Sequence, residues 1–427
     1  MCYVPVTSLA WISLCPLSPI CSIAKTLISL GLRSDVFLAR DTQNIRDAGK
    51  QLDAQYILEG SVFRSGEQLR INAQLVRVRD DSPLWSGRYD EELRDIFAIQ
   101  DEISRGIVNG LRLKLGRGRR RYETSTEAYD LYLRARAFET EFAPRGRNQS
   151  VPFYEQALVK DPSFAPAYAA LGAAYAYRTG EDRLADWAVL SRAEETSRMR
   201  VVVEKALQLD PLLAEAHAAL GMAQARDAQW EEAEKSFRRA LELEPGRVST
   251  RLDFTYAVLL PLGRVEEAVA QDRLAEKNDP LSSDVQRRLA YVLFSAERFD
   301  EAVAHCEKPC VRALILKGRA AEAIPILETR FNGRLSATGS GELLGYAYAR
   351  AGRREDAERI ATIQPRPIEQ AMIFVALGDS DRAFEALNRA IPLGPIRIGL
   401  ELTRPEFAPL RGDARLKALR KGIGLPD

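Results

Sequence analysis

Residues 214–247, AEAHAALGMAQARDAQWEEAEKSFRRALELEPGR, decide how this chain is read. The first half sets Leu220 on an inward face and follows it with Gly221, where the lack of a side chain lets a second helix approach closely. The second half places Ala233, Phe237 and Ala240 at spacings of four and three, the recurrence of one helical face. Trp230 stands at the turn between the halves, and Pro245 stops the second helix because it cannot continue the hydrogen-bond ladder. The stretch predicts two antiparallel helices joined by a short turn.

Its ending recurs along the chain. EQALVKDP closes at Pro162, EKALQLDP at Pro211, RRALELEP at Pro245 and RLAEKNDP at Pro280, giving spacings of 49, 34 and 35 residues. A 34-residue helix-turn-helix period resembles the tetratricopeptide (TPR) repeat. The longer interval holds one period plus an insertion of about 15 residues, around EDRLADWAVLSRAEE. Leu171, Gly172 and Tyr175 mark one further copy, Leu289, Ala290 and Phe299 another. GYAYARAGRREDAERI and AMIFVALGDSDRAFEALNRAI continue the logic, while the pattern weakens over 309–337. The reading predicts an all-α TPR solenoid over residues 125–427, with about seven units and irregular C-terminal repeats. One unit cannot bury its apolar face alone, so stacking must supply the core.

The first part follows a different period. Residues 56–78, YILEGSVFRSGEQLRINAQLVRV, read as two strands around Arg64-Ser65-Gly66-Glu67. Leu69, Ile71, Ala73 and Leu75 alternate with Arg70, Asn72 and Gln74, so one face is buried and one wet. Residues 35–39 suit a strand, 44–52 a short helix, and 92–115 a long amphipathic stretch. Glu59 is an acid in an apolar strand start, read either as a buried acid or as a group that satisfies nearby backbone or an arginine such as Arg70. The fold class is therefore α+β: a small α/β domain with an antiparallel hairpin over 1–115, a basic linker over 116–124, and the all-α solenoid.

One segment carries a family resemblance. Leu58-Glu59-Gly60-Ser61, Arg70, Gln74-Leu75, Trp85, Tyr89-Asp90, Phe97 and Gln100-Asp101-Glu102-Ile103 match, in place, the α/β domain of bacterial proteins related to the amino-terminal domain of TolB. That domain is often followed by TPR repeats, and PEFAPLRGDARLKALRKGIGLP (405–426) resembles the usual tail of such architectures. Cys2 to Val6 sits where the family has its first strand, but Trp11 to Ala24 departs from the family's loop and helix start. The resemblance implies bacterial signalling or regulation, since such modules commonly stand behind a cyclase, a kinase or a winged-helix domain. This sequence shows no motif of any of those effectors.

Composition narrows the chemistry. With 61 basic and 60 acidic residues, the chain lacks the charge excess of a nucleic-acid or membrane coat. Only His217 and His305 are available for imidazole chemistry. The five cysteines are odd in number and unevenly spaced, so no disulfide framework is expected. HCEKPC (305–310) lacks a full zinc ligand set, and Cys306 falls where the repeat wants a small buried residue. No phosphate-binding Gly-x-x-x-x-Gly-Lys motif occurs. The expectation is a non-enzyme with no cofactor, no metal and no catalytic residue.

Binding is the remaining role. First helices of a TPR stack line a groove, and the register places Ala169, Ala173 and Tyr177, then Ala218, Met222 and Arg226, then Arg287, Tyr291 and Phe294 along it. Such a groove suits a protein or peptide ligand. A cyclase, kinase or transcription regulator on another chain is the alternative partner. The first 24 residues are uncharged, but Pro5, Pro16 and Pro19 break any helix there, so no firm membrane anchor or export signal is read. A cytoplasmic location follows, with a periplasmic or membrane-associated one as alternative.

Overall fold

The computed structural model of the chain describes residues 2–5, 9–10, 34–35, 56–65, 68–77, 82–92, 122, 124–141, 145–177, 192–280, 282–306, 309–331 and 340–426. The helix expected over 44–52, the amphipathic stretch beyond Glu92, the run 116–121 and most of the insertion lie outside the described residues.

Six strands are described: β1 (Cys2–Pro5), β2 (Leu9–Ala10), β3 (Ser34–Asp35), β4 (Tyr56–Ser65), β5 (Gln68–Arg77) and β6 (Ser82–Glu92). They form an antiparallel sheet of order β1-β4-β5-β6 and a short parallel pair, β2-β3. The expected hairpin is β4-β5, in register from Tyr56 opposite Arg77 to Ser65 opposite Gln68. Ile71 and Ala73 are buried while Arg70 and Asn72 are exposed, as the alternation requires. Val76 is buried too, where a bulge shifts the pairing with β6. β6 is an addition to the sequence reading, although Trp85, Gly87 and Tyr89 alternate with exposed Ser86, Arg88 and Asp90. Arg70 pairs with Asp90 on β6, and Arg88 Nε lies 2.9 Å from the same carboxylate; the side chain of Glu59 lies outside the described residues.

The rest is helical. In chain order come α1 (Thr126–Glu141), α2 (Arg145–Lys160), α3 (Ala165–Tyr177), α4 (Arg192–Leu209), α5 (Ala214–Arg226), α6 (Trp230–Leu243) and α7 (Val248–Phe254), the last running into a π turn, Thr255–Leu259. Then follow α8 (Val265–Asn278), α9 (Ser283–Ser295), α10 (Phe299–Ala304), α11 (Val311–Leu316), α12 (Ala320–Phe331), α13 (Ser340–Arg350), α14 (Arg354–Ile363), α15 (Pro367–Ala376) and α16 (Ser380–Arg389). A 3-10 turn (Ile391–Leu393), α17 (Pro395–Leu402), a second 3-10 segment (Pro405–Leu410) and α18 (Ala414–Gly422) complete the chain.

Local chemistry explains the turns. α2 and α4 each end before an Asp-Pro pair, and the aspartate caps the turn: Asp161 Oδ1 accepts from Ser163 N at 2.9 Å, Asp210 Oδ1 from Leu212 N at 3.0 Å. Inside the helix pairs, the residue between first and second helix takes a positive φ. Gly263, Gly318, Gly352 and Gly378 do so at 74–80°, while Ala228 and Glu297 accept the same geometry without a glycine. A basic residue at or just inside the next helix then reaches back to the preceding second helix. Arg264 forks onto Glu234 at 2.6 and 3.0 Å, Arg298 meets Glu266 at 2.7 Å, and Arg382 forks onto Glu358 at 2.7 Å. Each exposed pair is worth only about 0–1 kcal/mol, so they fix stacking register more than stability.

The Ala233, Phe237 and Ala240 stripe is fully buried, whereas Leu220 is only half-buried. One correction concerns the cysteines: Cys306 is half-buried and bonded to Cys310, because α10 ends and α11 begins close enough for the pair's Cα atoms to lie 5.8 Å apart.

The chain divides into two compact units, Met1–Leu220 with Ser236–Thr250, and Gly221–Lys235 with Arg251–Asp427. In the first, Tyr129, Tyr154 and Phe164 are buried, and Tyr132 packs edge-on to Phe164 with ring centroids 5.2 Å apart. In the second, one large core runs from α11 to α18 and takes in Ile398, Leu402, Phe407 and Leu410. Here the chain doubles back. Gly399 of α17 lies so close to Pro261 that an added Cβ would stand 2.8 Å from its Cα, and Trp230 Nε1 donates to Gly424 O at 2.5 Å. Gly399→Ala is expected to destabilise the protein by about 1–3 kcal/mol, read as a fall in denaturation midpoint, because backbone rather than a flexible side-chain end blocks the methyl.

Candidate functional site

The nine positions expected to line a groove have different fates. Ala169, Ala218, Met222, Arg226 and Phe294 are buried, Ala173 and Tyr291 are half-buried, and Arg287 is exposed. Tyr177 closes α3, and its side chain lies outside the described residues. For Tyr291 the reason is visible: its face of the second unit already holds polypeptide, the chain's own residues 395–410.

That face is assembled from four helices. From α9, the Tyr291 hydroxyl donates to the Leu400 carbonyl at 3.1 Å. From α11, Arg312 Nε and Nη2 each donate to a Glu406 oxygen at 2.9 Å, a bidentate fork. The same guanidinium lies over the rings of Tyr291 and Phe294, 5.5 and 5.0 Å from their centroids. From α13, Glu342 stands 3.9 Å from both Arg404 and Arg366. From α15, Glu369 meets Arg366 at 3.2 Å and Arg397 at 3.7 Å, and the Met372 sulfur lies 3.4 Å from Arg404 Nη2. Within the segment, Arg404 donates to Glu401 at 2.6 Å and to Glu406 at 3.3 Å, and Arg397 meets Glu401 at 3.1 Å.

Glu369, Glu401, Arg404 and Glu406 are buried and Arg312, Glu342, Arg366 and Arg397 half-buried, and their neighbours decide their state. Burial by itself raises Glu406, but Arg312 and Arg404 outweigh it and hold the carboxyl at about 2. Glu401 is treated the same way, burial opposed by Arg404 and Arg397, with a net lowering. Glu342 goes the other way. Burial pushes it up to about 7, since Arg404 stands too far off to compensate and Glu369 and Glu401 add negative charge. Burial likewise raises Tyr291, so its hydroxyl stays a donor.

The first unit has a smaller network. Arg136 of α1 donates to Glu215 of α5 at 2.8 Å, and Arg247 reaches the other Glu215 oxygen at 2.9 Å. Burial works against Glu215, yet the two arginines hold it at about 2.

Asp272 of α8 is a different case. It is fully buried, and neither carboxyl oxygen has a hydrogen-bond partner among the described residues. Burial pushes it up to about 7; Thr255 of the π turn and Arg288 of α9 oppose the rise without a hydrogen bond of ordinary geometry, and Asp284 adds to it. π turns often mark places where the helix ladder has been bent for a purpose.

Sequence reasoning missed Arg312, Glu342, Glu369, Arg404 and Glu406. A signal was present: Arg312 in VRALIL, Glu401 in IGLEL and Glu406 in PEF are single charges in apolar company. Among the described residues no group of three or more His, Cys, Asp or Glu is placed to hold a metal, and no helix is long and apolar enough to cross a membrane.

Residues 214–247 match the family model "Tetratricopeptide repeat". Residues 214–247 are thus one tetratricopeptide repeat within a mostly helical array of helix pairs, and the N-terminal part of the sequence carries a small antiparallel sheet. A protein of Rhizobium meliloti (strain 1021) named "Putative adenylate cyclase 3" is 40% identical over 135 residues, covering 30% of this chain and 23% of that protein. The chain therefore spans about a quarter of that relative's length. Among solved structures, Pseudomonas aeruginosa PilF is 17% identical with a TM-score of 0.30, covering 56% of this chain and 96% of its own. YrrB, described as a TPR protein with an unusual peptide-binding site, is 16% identical with a TM-score of 0.28, covering 55% and 97%.

Two outcomes test the electrostatics. Arg312→Met alone strands the buried Glu406 charge and is expected to cost about 3–5 kcal/mol, while adding Glu406→Leu restores most of it, measured by chemical denaturation. Asp272 has a folded pKa of about 7 against 3.8, so its stabilising contribution is complete below 3.8 and lost as pH rises through 7. Asp272→Asn should therefore raise the melting temperature more at about pH 8 than at about pH 5. An equal change at both pH values would contradict the buried neutral acid.

Proposed function

We propose that this protein is a non-enzymatic scaffold whose TPR array binds a segment of another protein. The observation that carries the reading is the held segment itself. Side chains of α9, α11, α13 and α15 grip a backbone carbonyl, a buried carboxylate and an aromatic side chain of one short stretch. That combination of backbone hydrogen bond, charge-assisted fork and apolar anchor is how helical grooves recognise peptides.

The finer reading places the protein in bacterial regulation, as a module that acts on an adenylate cyclase carried on another chain. The 40% identity with the cyclase-named relative supports it. So does the TolB-like signature, whose LEGS and RINAQL residues sit on the adjacent strands β4 and β5. A cytoplasmic location goes with this reading.

The test is to co-express the chain with an adenylate cyclase catalytic domain from its own organism. The expected result is co-purification at a fixed ratio and a change in cyclic AMP formation of at least about twofold, with no conversion of ATP by the chain alone. Failure to co-purify, together with unchanged cyclase rates, would remove the cyclase reading. Nucleotide turnover by the pure chain would remove the non-enzymatic one.

A further inference from the structure

The segment 395–410 is gripped as a ligand would be. It follows α16 in sequence, yet α17 lies back against Pro261 and the π turn instead of extending the series of helix pairs. Its only covalent tie to the preceding helices is the short turn Ile391–Leu393, where Ile391 and Leu393 are partly exposed and Gly394 breaks the geometry at φ 90°.

The grip is also imperfect. Arg404 Nε is buried with no hydrogen-bond partner among the described residues. Glu342 has two arginines standing 3.9 Å away and no closer partner among the described residues. A buried polar group left in this state costs free energy that a better-fitting occupant recovers. Resting on the scaffold reading, we propose that the face carrying Tyr291, Arg312, Glu342 and Met372 binds in trans a partner helix with the chemistry of residues 395–410, which the chain's own segment imitates and competes with. The partner segment presents two aliphatic residues one helical turn apart, as Ile398 and Leu402 do. A Glu-Phe pair then follows for Arg312 and the apolar core, as Glu406 and Phe407 do, and a basic residue reaches Glu342. Competition follows because an occupant tethered by a short turn is present at high effective concentration, so the free partner binds only as far as it outcompetes the tether.

The experiment uses the full chain and a fluorescein-labelled synthetic peptide, PIRIGLELTRPEFAPLR, which is residues 395–411. A flexible Gly/Ser insertion of about 12 residues after Leu393 lowers the tether's effective concentration without touching the face. The labelled peptide is expected to bind the insertion variant roughly tenfold or more tightly than the parent chain. Glu→Gln at the peptide's position 406 should abolish that gain, and Arg312→Gln in the insertion variant should do the same. Equal affinity for parent and insertion variant, or indifference to the peptide's glutamate, would overturn the proposal. So would loss of helical circular dichroism in the insertion variant, which would make 395–410 an inseparable part of the core. Dimers of the insertion variant that exclude the peptide would replace the partner by a second copy of this chain. Cyclase co-purification is unaffected by any of these results, so the scaffold reading and this one fail separately.

Discussion

The pairing of Arg312 with Glu406 is the constraint on which the second unit depends. Taking a carboxylate wholly out of water is strongly unfavourable unless an opposite charge and directed hydrogen bonds replace the lost hydration. The fork from α11 supplies both, and Arg404 adds a second positive neighbour. α11 is only six residues long and could not hold its place by helix propensity. Its side chains Val311 and Ile315 enter the shared core, and its arginine locks the returning segment over α9, α13 and α15. The apolar contacts of Ile398, Leu402 and Phe407 supply the burial, while the charged fork fixes where along the face that burial occurs.

Around this lock the array is built from repeated local decisions. An Asp-Pro turn ends a second helix, a left-handed residue turns the chain between first and second helix, and an arginine reaches back to the previous second helix. Each is weak alone. Their recurrence at similar positions makes neighbouring units stack in one register, as expected where stability is a sum of neighbour interfaces. Asp272 stands outside this economy of paired charges. Its carboxyl is buried at the junction of the π turn, α8 and α9, with Arg288 directed over the Tyr256 ring at 5.4 Å.

The helical register was legible because a repeat obliges its apolar and small residues to recur. The buried Ala233, Phe237 and Ala240 follow directly from their spacing. The hairpin was legible because alternation has a period of two, and Ile71 and Ala73 are buried as that period demands. β6 was harder, since its inward residues include Gly87, which carries no hydrophobic signal. The Cys306–Cys310 bridge was illegible because cysteine count and spacing say nothing of how closely two helix ends approach. Met222 lies on α5 and Tyr291 and Phe294 on α9, but periodicity cannot say what covers a helix face.

The sequence alone determined the α+β division, the helix-turn-helix period and the strand alternation, because each is written in residues near one another along the chain. Only the tertiary structure decided that residues 395–410 return to the first-helix face of the second unit. It also decided which charges meet there and which, like Asp272 and Glu342, are left poorly matched. The physical reason is distance along the chain. A fork between residues 312 and 406, or a hydrogen bond from Tyr291 to Leu400, leaves no period in the sequence, because its partners are joined by the path of the folded backbone and not by local spacing.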